Sequence, residues 1–150
     1  LPFFGHDSLR RAATALVERN GGLPAGTYNW KSQCFISAGG LSGVLNALLA
    51  VIEPGDEVVM TSPTYVGLIN RVLLAGGVPR YIPMKVVDGE WRLETGAIAG
   101  VVTERTKAFL MMSPSMPTGA TFNRHEWEAI CAACVQANAW MIYDSAMERI

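Results

Sequence analysis

Four stretches of the chain carry residues whose type and spacing suit small-molecule chemistry. Gly39-Gly40-Leu41-Ser42-Gly43 stands directly ahead of an apolar helical repeat. Glycines let the backbone turn tightly, and the first N–H groups of the following helix have no internal partners, so the turn can hold an anion or phosphate. Its spacing matches neither the dinucleotide G-x-G-x-x-G pattern nor the nucleotide G-K-[ST] pattern. A plain glycine-rich turn with Ser42 as cap accounts for the same residues. Tyr65, in Ser62-Pro63-Thr64-Tyr65, could offer a ring face to a flat ligand or lie half-buried at the surface. The third stretch, Ser113-Pro114-Ser115-Met116-Pro117-Thr118-Gly119, is stiffened by its prolines; a structural turn would look the same. Asp144 ends the apolar run AWMIY. A carboxylate there needs solvent, a hydrogen bond or a cation, and a cofactor cation, a helix N-terminus or an arginine would each serve.

Periodicity supplies the elements that must hold these residues. Leu9, Ala12, Ala13, Leu16 and Val17 follow the i, i+3, i+4, i+7, i+8 rule and predict an amphipathic helix over 8–19, stopped by Asn20-Gly21-Gly22. Residues 22–33 read as a loop and CFISA (34–38) as a short buried strand. Leu41, Val44, Leu45, Leu48, Leu49 and Ile52 predict a second helix, broken by Glu53-Pro54-Gly55-Asp56. Strands are expected at 57–61, 78–84, 107–112 and 139–143, with helices at 64–75, 94–102 and 124–137. Asn123 is the expected N-cap of the last helix, with Glu126 completing a capping box. Strands alternating with helices predict an α/β fold, a mostly parallel sheet sandwiched by helices. Ligands of such sheets bind beyond the carboxyl ends of the strands, where the four stretches fall. No repeat, linker or internal domain boundary is evident.

Composition narrows the function classes. The 150 residues are 50% hydrophobic and 17% charged, which excludes disorder as the overall state. The net charge of −1 gives no footprint for nucleic acid or an anionic membrane. Apolar runs such as 47–52 are far short of the ~20 residues of a membrane helix, and no signal peptide is visible. The first residue is Leu1, so the chain is expected to be processed or cut from something longer, and a mean hydropathy of +0.23 suits part of a larger body. Three cysteines, sparse and odd in number, fit a reducing, cytoplasmic compartment. Cys131-Ala132-Ala133-Cys134 matches C-x-x-C, but both cysteines are expected on the apolar face shared with Trp127, Ile130 and Val135, and no second pair completes a zinc site. His6 and His125 lack metal-ligand spacing, so no metal is expected.

In combination, SAGGLSGVLNALLAVIEPGDEVVMTSPTY, SPSMPTGA and IYDSAMERI, in that order and spacing, resemble the large domain of fold-type I pyridoxal-phosphate enzymes, and among these the class I/II aminotransferases. The resemblance covers essentially the whole chain. It implies an aminotransferase moving an amino group from an amino acid to a keto acid, working as a homodimer. Gly39, Gly40 and Leu41 match the family's phosphate-binding turn, Tyr65 the aromatic that stacks on the cofactor ring, and Asp144 the aspartate that pairs with the ring nitrogen. A carboxylate beside that nitrogen keeps it protonated, and the cationic ring takes up electrons left at the substrate's Cα. Met116 stands where the family usually has Asn, and Met147 where it usually has Tyr. Both of those residues donate hydrogen bonds to the ring's phenolic oxygen, and methionine donates none. A more basic phenolic oxygen is the implied result. The family's Schiff-base lysine falls beyond Ile150, and Lys31, Lys85 and Lys107 match no corresponding place. The resemblance therefore implies a central part of a longer enzyme, inactive alone. A lyase, decarboxylase or oxidase on the same scaffold, and a non-catalytic sensor domain, are the alternatives.

Overall fold

In the computed structural model, which describes residues 3–149, the four strands expected at 57–61, 78–84, 107–112 and 139–143 form and join one five-stranded sheet. The sequence places no boundary within the chain, whereas the structure divides after Gly39 into two compact units.

The first unit contains α1 (Asp7–Asn20) and the single-turn α2 (Trp30–Gln33). Here the structure corrects the sequence reading. Leu9, Leu16 and Val17, the expected core face of α1, are exposed, and the buried stripe is Arg10, Thr14 and Glu18. Arg10 and Glu18 satisfy loop backbone, while the Thr14 hydroxyl donates to the Arg10 and Arg11 carbonyls of its own helix. The Arg10 guanidinium donates to the carbonyls of Cys34 (2.8 Å) and Lys31 (2.6 Å) and lies against the Phe4 and Trp30 rings. The Glu18 carboxylate accepts the N–H groups of Gly26 (3.1 Å) and Tyr28 (2.8 Å). Residues 34–37 form no strand, and Phe35 is exposed. Ile36 N–H pairs with the Phe4 carbonyl, but the described residues of this unit supply no strand to build a ladder. The expected loop also contains α2, because the Asn29 side chain caps it by accepting Lys31 N–H at 3.0 Å.

The second unit holds α3 (Gly40–Val51), β1 (Glu57–Ser62), α4 (Val66–Leu74), β2 (Val78–Val87), β3 (Glu90–Leu93), α5 (Ile98–Val101), β4 (Thr106–Met112), α6 (Arg124–Gln136) and β5 (Trp140–Asp144). The strand order is β3-β2-β1-β4-β5. All neighbours are parallel except β2 and β3. The antiparallel β3 is absent from the sequence reading. Asp88 and Gly89, both at positive φ, turn the chain there, an Asp-Gly hairpin signal that the expected α/β alternation hides.

Continuous apolar strands are buried on both faces, as a covered parallel sheet requires. Val58, Met60, Ala108, Leu110 and Met112 pack under Val44 and Leu48 of α3 and Leu68 and Val72 of α4. Val59, Ile82, Phe109 and Met111 pack under Ile98 of α5 and Ile130 and Cys134 of α6. The connection β1-α4-β2 steps one way from the sheet centre and β4-α6-β5 the other. Right-handed crossovers in opposite directions put their helices on opposite faces.

The capping box of α6 forms as expected, with Asn123 Oδ1 accepting Glu126 N–H (3.0 Å) and Glu126 accepting Asn123 N–H (2.8 Å). Glu126 also accepts Leu93 N–H at 2.8 Å, tying the β3 edge to the helix start. The C-x-x-C pair departs from expectation. Cys134 is buried beside Ile130, but Cys131 and Val135 face outward. Each helical residue turns by about 100°, so 127, 130 and 134 share the buried side and 131 and 135 do not.

Candidate functional site

Parallel pairing carries the ends of β1 (Ser62), β4 (Met112) and β5 (Asp144) to one edge of the sheet, with Met112 and Asp144 in register. The strand order reverses between β1 and β4, a topological switch point that opens a crevice at this edge.

The N-terminus of α3 reaches the same edge. α3 ends just before the Glu53-Pro54-Gly55-Asp56 turn that leads into β1, so its last turn lies near the amino end of that strand. Its 12 residues extend about 18 Å back, close to the ~20 Å length of the 6-residue β1. α3 packs beside α4 and β5. Gly40 is exposed, and a Cβ placed on it would meet nothing within 4 Å. Gly39 has φ +87°, a left-handed conformation that favours glycine.

Tyr65 ends the Ser62-Pro63-Thr64 segment as the N-cap residue of α4 and is half-buried. The loop after β4 is stapled on itself. Ser115 N–H donates to the Ala120 carbonyl (2.8 Å), Gly119 N–H to the Ser115 carbonyl (2.7 Å), and Phe122 N–H to Ser113 Oγ (3.1 Å). The Tyr143 hydroxyl donates to the Ser113 carbonyl at 2.6 Å and so ties this loop to β5. Burial first, and then the charges of Glu148 and Asp144, push the Tyr143 hydroxyl above its usual range, which keeps that donor proton in place. A cavity of about 450 Å³ is lined by residues 114–117 with Gly119, Thr121 and Met147. The hydroxyl of Ser115, a residue lining this cavity, is buried and has no hydrogen-bond partner among the described residues. Asp144 Oδ1 accepts Ala146 N–H at 2.9 Å, and among the described residues no cation pairs with it.

The structure brings most of the sequence candidates together. Leu41, Tyr65, Met116 and Met147 all pack against the same core cluster, on the α3–α4 face of the sheet. Asp144 ends the strand whose Ile142 joins that cluster, and Gly40 begins the helix that carries Leu41. Tyr143 and Ser115 are absent from the sequence reading. Tyr143 is hidden as one more apolar strand residue, and Ser115 reads only as turn chemistry.

The aminotransferase class I and II model matches residues 1–149. The chain is 35% identical to the aspartate/prephenate aminotransferase of Cereibacter sphaeroides over 97% of its own length and 36% of that protein's. It is 28% identical to kynurenine--oxoglutarate transaminase 3 of Rattus norvegicus over 97% of its own length and 33% of that protein's. The solved N-succinyldiaminopimelate aminotransferase of Mycobacterium tuberculosis superposes with a TM-score of 0.89 at 31% identity, covering 95% of this chain and 36% of that one. The chain thus spans about a third of the length of the curated relatives it matches. With a matching family model along essentially its whole length and a sheet that overlays solved members, the chain belongs to the class I and II aminotransferases.

Proposed function

We propose that the protein to which this segment belongs is a pyridoxal 5′-phosphate-dependent aminotransferase, and that the segment forms the cradle for the cofactor. The observation that supports this reading is that Leu41 beside Gly40, Tyr65 and Ile142, two residues before Asp144 on β5, all border one core cluster. The residues suit such a group. Gly40 and Leu41 amides, with Gly39 making the turn, would hold the phosphate. Tyr65 would lie against the ring, and Asp144, with no competing cation among the described residues, would keep the ring nitrogen protonated. The unpartnered Ser115 hydroxyl is a polar group that a ligand in the adjoining cavity would satisfy. When bound, the cofactor supplies an electron sink for a substrate carbanion.

The relatives' names include aspartate, prephenate, kynurenine, oxoglutarate and N-succinyldiaminopimelate, which supports an amino acid donor and a keto acid acceptor here. A homodimer follows from the family, and a cytoplasmic location from the sparse free cysteines. Full-length holoprotein given an amino acid alone should release one equivalent of keto acid per site and keep the amino group on the cofactor. Carbon dioxide, ammonia or an aldehyde in its place would refute transamination.

The two methionines favour a second reading, another pyridoxal-phosphate reaction such as a lyase, decarboxylase or oxidase. Met116 and Met147 line the same cavity and bring no hydrogen-bond donor to the cofactor's phenolic oxygen. The visible band of the full-length holoprotein should then titrate at a higher pH than in family members with Asn and Tyr. One restored donor is worth about 1.5 kcal/mol, so Met116→Asn should lower that midpoint by about one pH unit. An unmoved midpoint would mean that another group already fills the place.

A further inference from the structure

We propose that Gly67 is a positioning residue for the cofactor, acting through Tyr65; this rests on the reading of Tyr65 as the ring-stacking residue. Gly67 is the second residue of α4 and is buried. Its backbone gives no reason for glycine, since it is helical and not among the positive-φ positions. Glycine is also a poor helix former, second only to proline, so a helix gains nothing from it locally.

What the position lacks is room. An ideal Cβ on Gly67 would lie 2.4 Å from Tyr65 Cε1, 2.7 Å from Cζ and 3.0 Å from Cδ1. All three nearest atoms belong to the Tyr65 ring, and carbon atoms in contact normally stand about 3.5–4.0 Å apart. Any side chain at 67 therefore drives the ring off the first turn of α4. Tyr65 is half-buried at the rim of the core cluster that Met116 and Met147 also border, so the ring has open space on one side to swing into. Its present location, three residues past the end of β1, is open to it only while position 67 has no Cβ. The missing methyl group thus fixes where the aromatic plate stands relative to the Asp144 carboxylate and the Gly40 amide, and both α4 and the sheet remain intact without it.

The test uses full-length apoprotein and pyridoxamine 5′-phosphate, which carries the same ring and phosphate and forms no bond to lysine. Gly67→Ala should raise its dissociation constant by about three- to tenfold, the range expected for losing one aromatic contact. The cofactor's induced circular dichroism should change with it, while the unfolding midpoint stays level or rises. Tyr65→Ala should weaken binding to a similar degree, and adding Gly67→Ala to Tyr65→Ala should have no further effect. Equal weakening by Gly67→Ala with and without the Tyr65 ring would overturn the proposal, as would unchanged affinity in Gly67→Ala alone. Loss of the folded state in Gly67→Ala would assign the residue to packing and overturn it too. If Tyr65→Ala itself leaves affinity and dichroism unchanged, the stacking role of Tyr65 fails, and the inference falls with it; that outcome is distinct from a failure at Gly67 alone.

Discussion

Replacing Asp144 with asparagine in the full-length enzyme is expected to lower kcat/KM by about two to three orders of magnitude without unfolding the protein. An opposite charge within about 4–6 Å moves a pKa by roughly 1–3 units, and each unit is a tenfold change in the fraction of the active protonation state. Asp144 stands at the carboxyl end of β5, opposite Met112 in register, and no described cation takes its charge. Its contact with Ala146 N–H, made by Oδ1 at 2.9 Å, needs only an acceptor oxygen. Asparagine keeps that oxygen and so keeps the turn. What it loses is the charge that would hold the ring nitrogen protonated. Steady-state kinetics and thermal unfolding on the same preparations check both halves. A variant with near-normal kcat/KM would remove Asp144 from the chemistry.

The largest expected effect on stability lies at the opposite end of the sheet. Glu57, the first residue of β1, is 1% exposed. Its carboxylate accepts the Thr103 hydroxyl at 2.6 Å and the Arg105 guanidinium at 2.9 Å, with Arg80 Nε at 3.9 Å. The Thr103 hydrogen bond leads in holding the carboxyl below its ordinary 4.5, the arginines add to it, and burial opposes them. Glu57→Ala should cost about 2–3 kcal/mol at neutral pH, since hydrogen bonds to a buried charge are lost together. The arginines are exposed enough to be resolvated and add little. The sign of the pH dependence follows from the lowered value. The contribution is fully present above the ordinary 4.5 and fades as pH falls through the folded-state value. The stability gap between wild type and Glu57→Gln should be constant from neutral pH down to about 5 and narrow below it. Urea unfolding at several pH values measures it, and a gap that stays constant into strong acid would show that the charge is not its source.

Much of the second unit was legible because its strands are buried on both faces. Residues 58–60 and 108–112 are apolar without interruption and buried on both faces, which a covered sheet accommodates. The α6 capping box was legible because it is local chemistry at fixed spacing. The first unit was misread for the opposite reason. The buried face of α1 is chosen by unpaired loop amides and carbonyls that need Arg10 and Glu18, and hydrophobic periodicity carries no information about them. Residues 34–38 have strand composition, but composition does not provide a neighbouring strand. At the site, Tyr65 and Asp144 could be found from position relative to strand ends, and the glycine turn from its place ahead of a helical repeat. Gly67 could not, since its importance is a clash that exists only once the ring is in place.

The division of side chains between the two sheet faces has an evolutionary consequence. Leu41, Tyr65, Met116 and Met147 all border the layer beneath α3 and α4, and none joins the layer beneath α5 and α6. A lineage can therefore redraw much of the second layer to suit a new temperature or neighbour, provided that Trp127 keeps its edge contact with Tyr143, which anchors the loop after β4. Selection for a new substrate would leave its mark on the first.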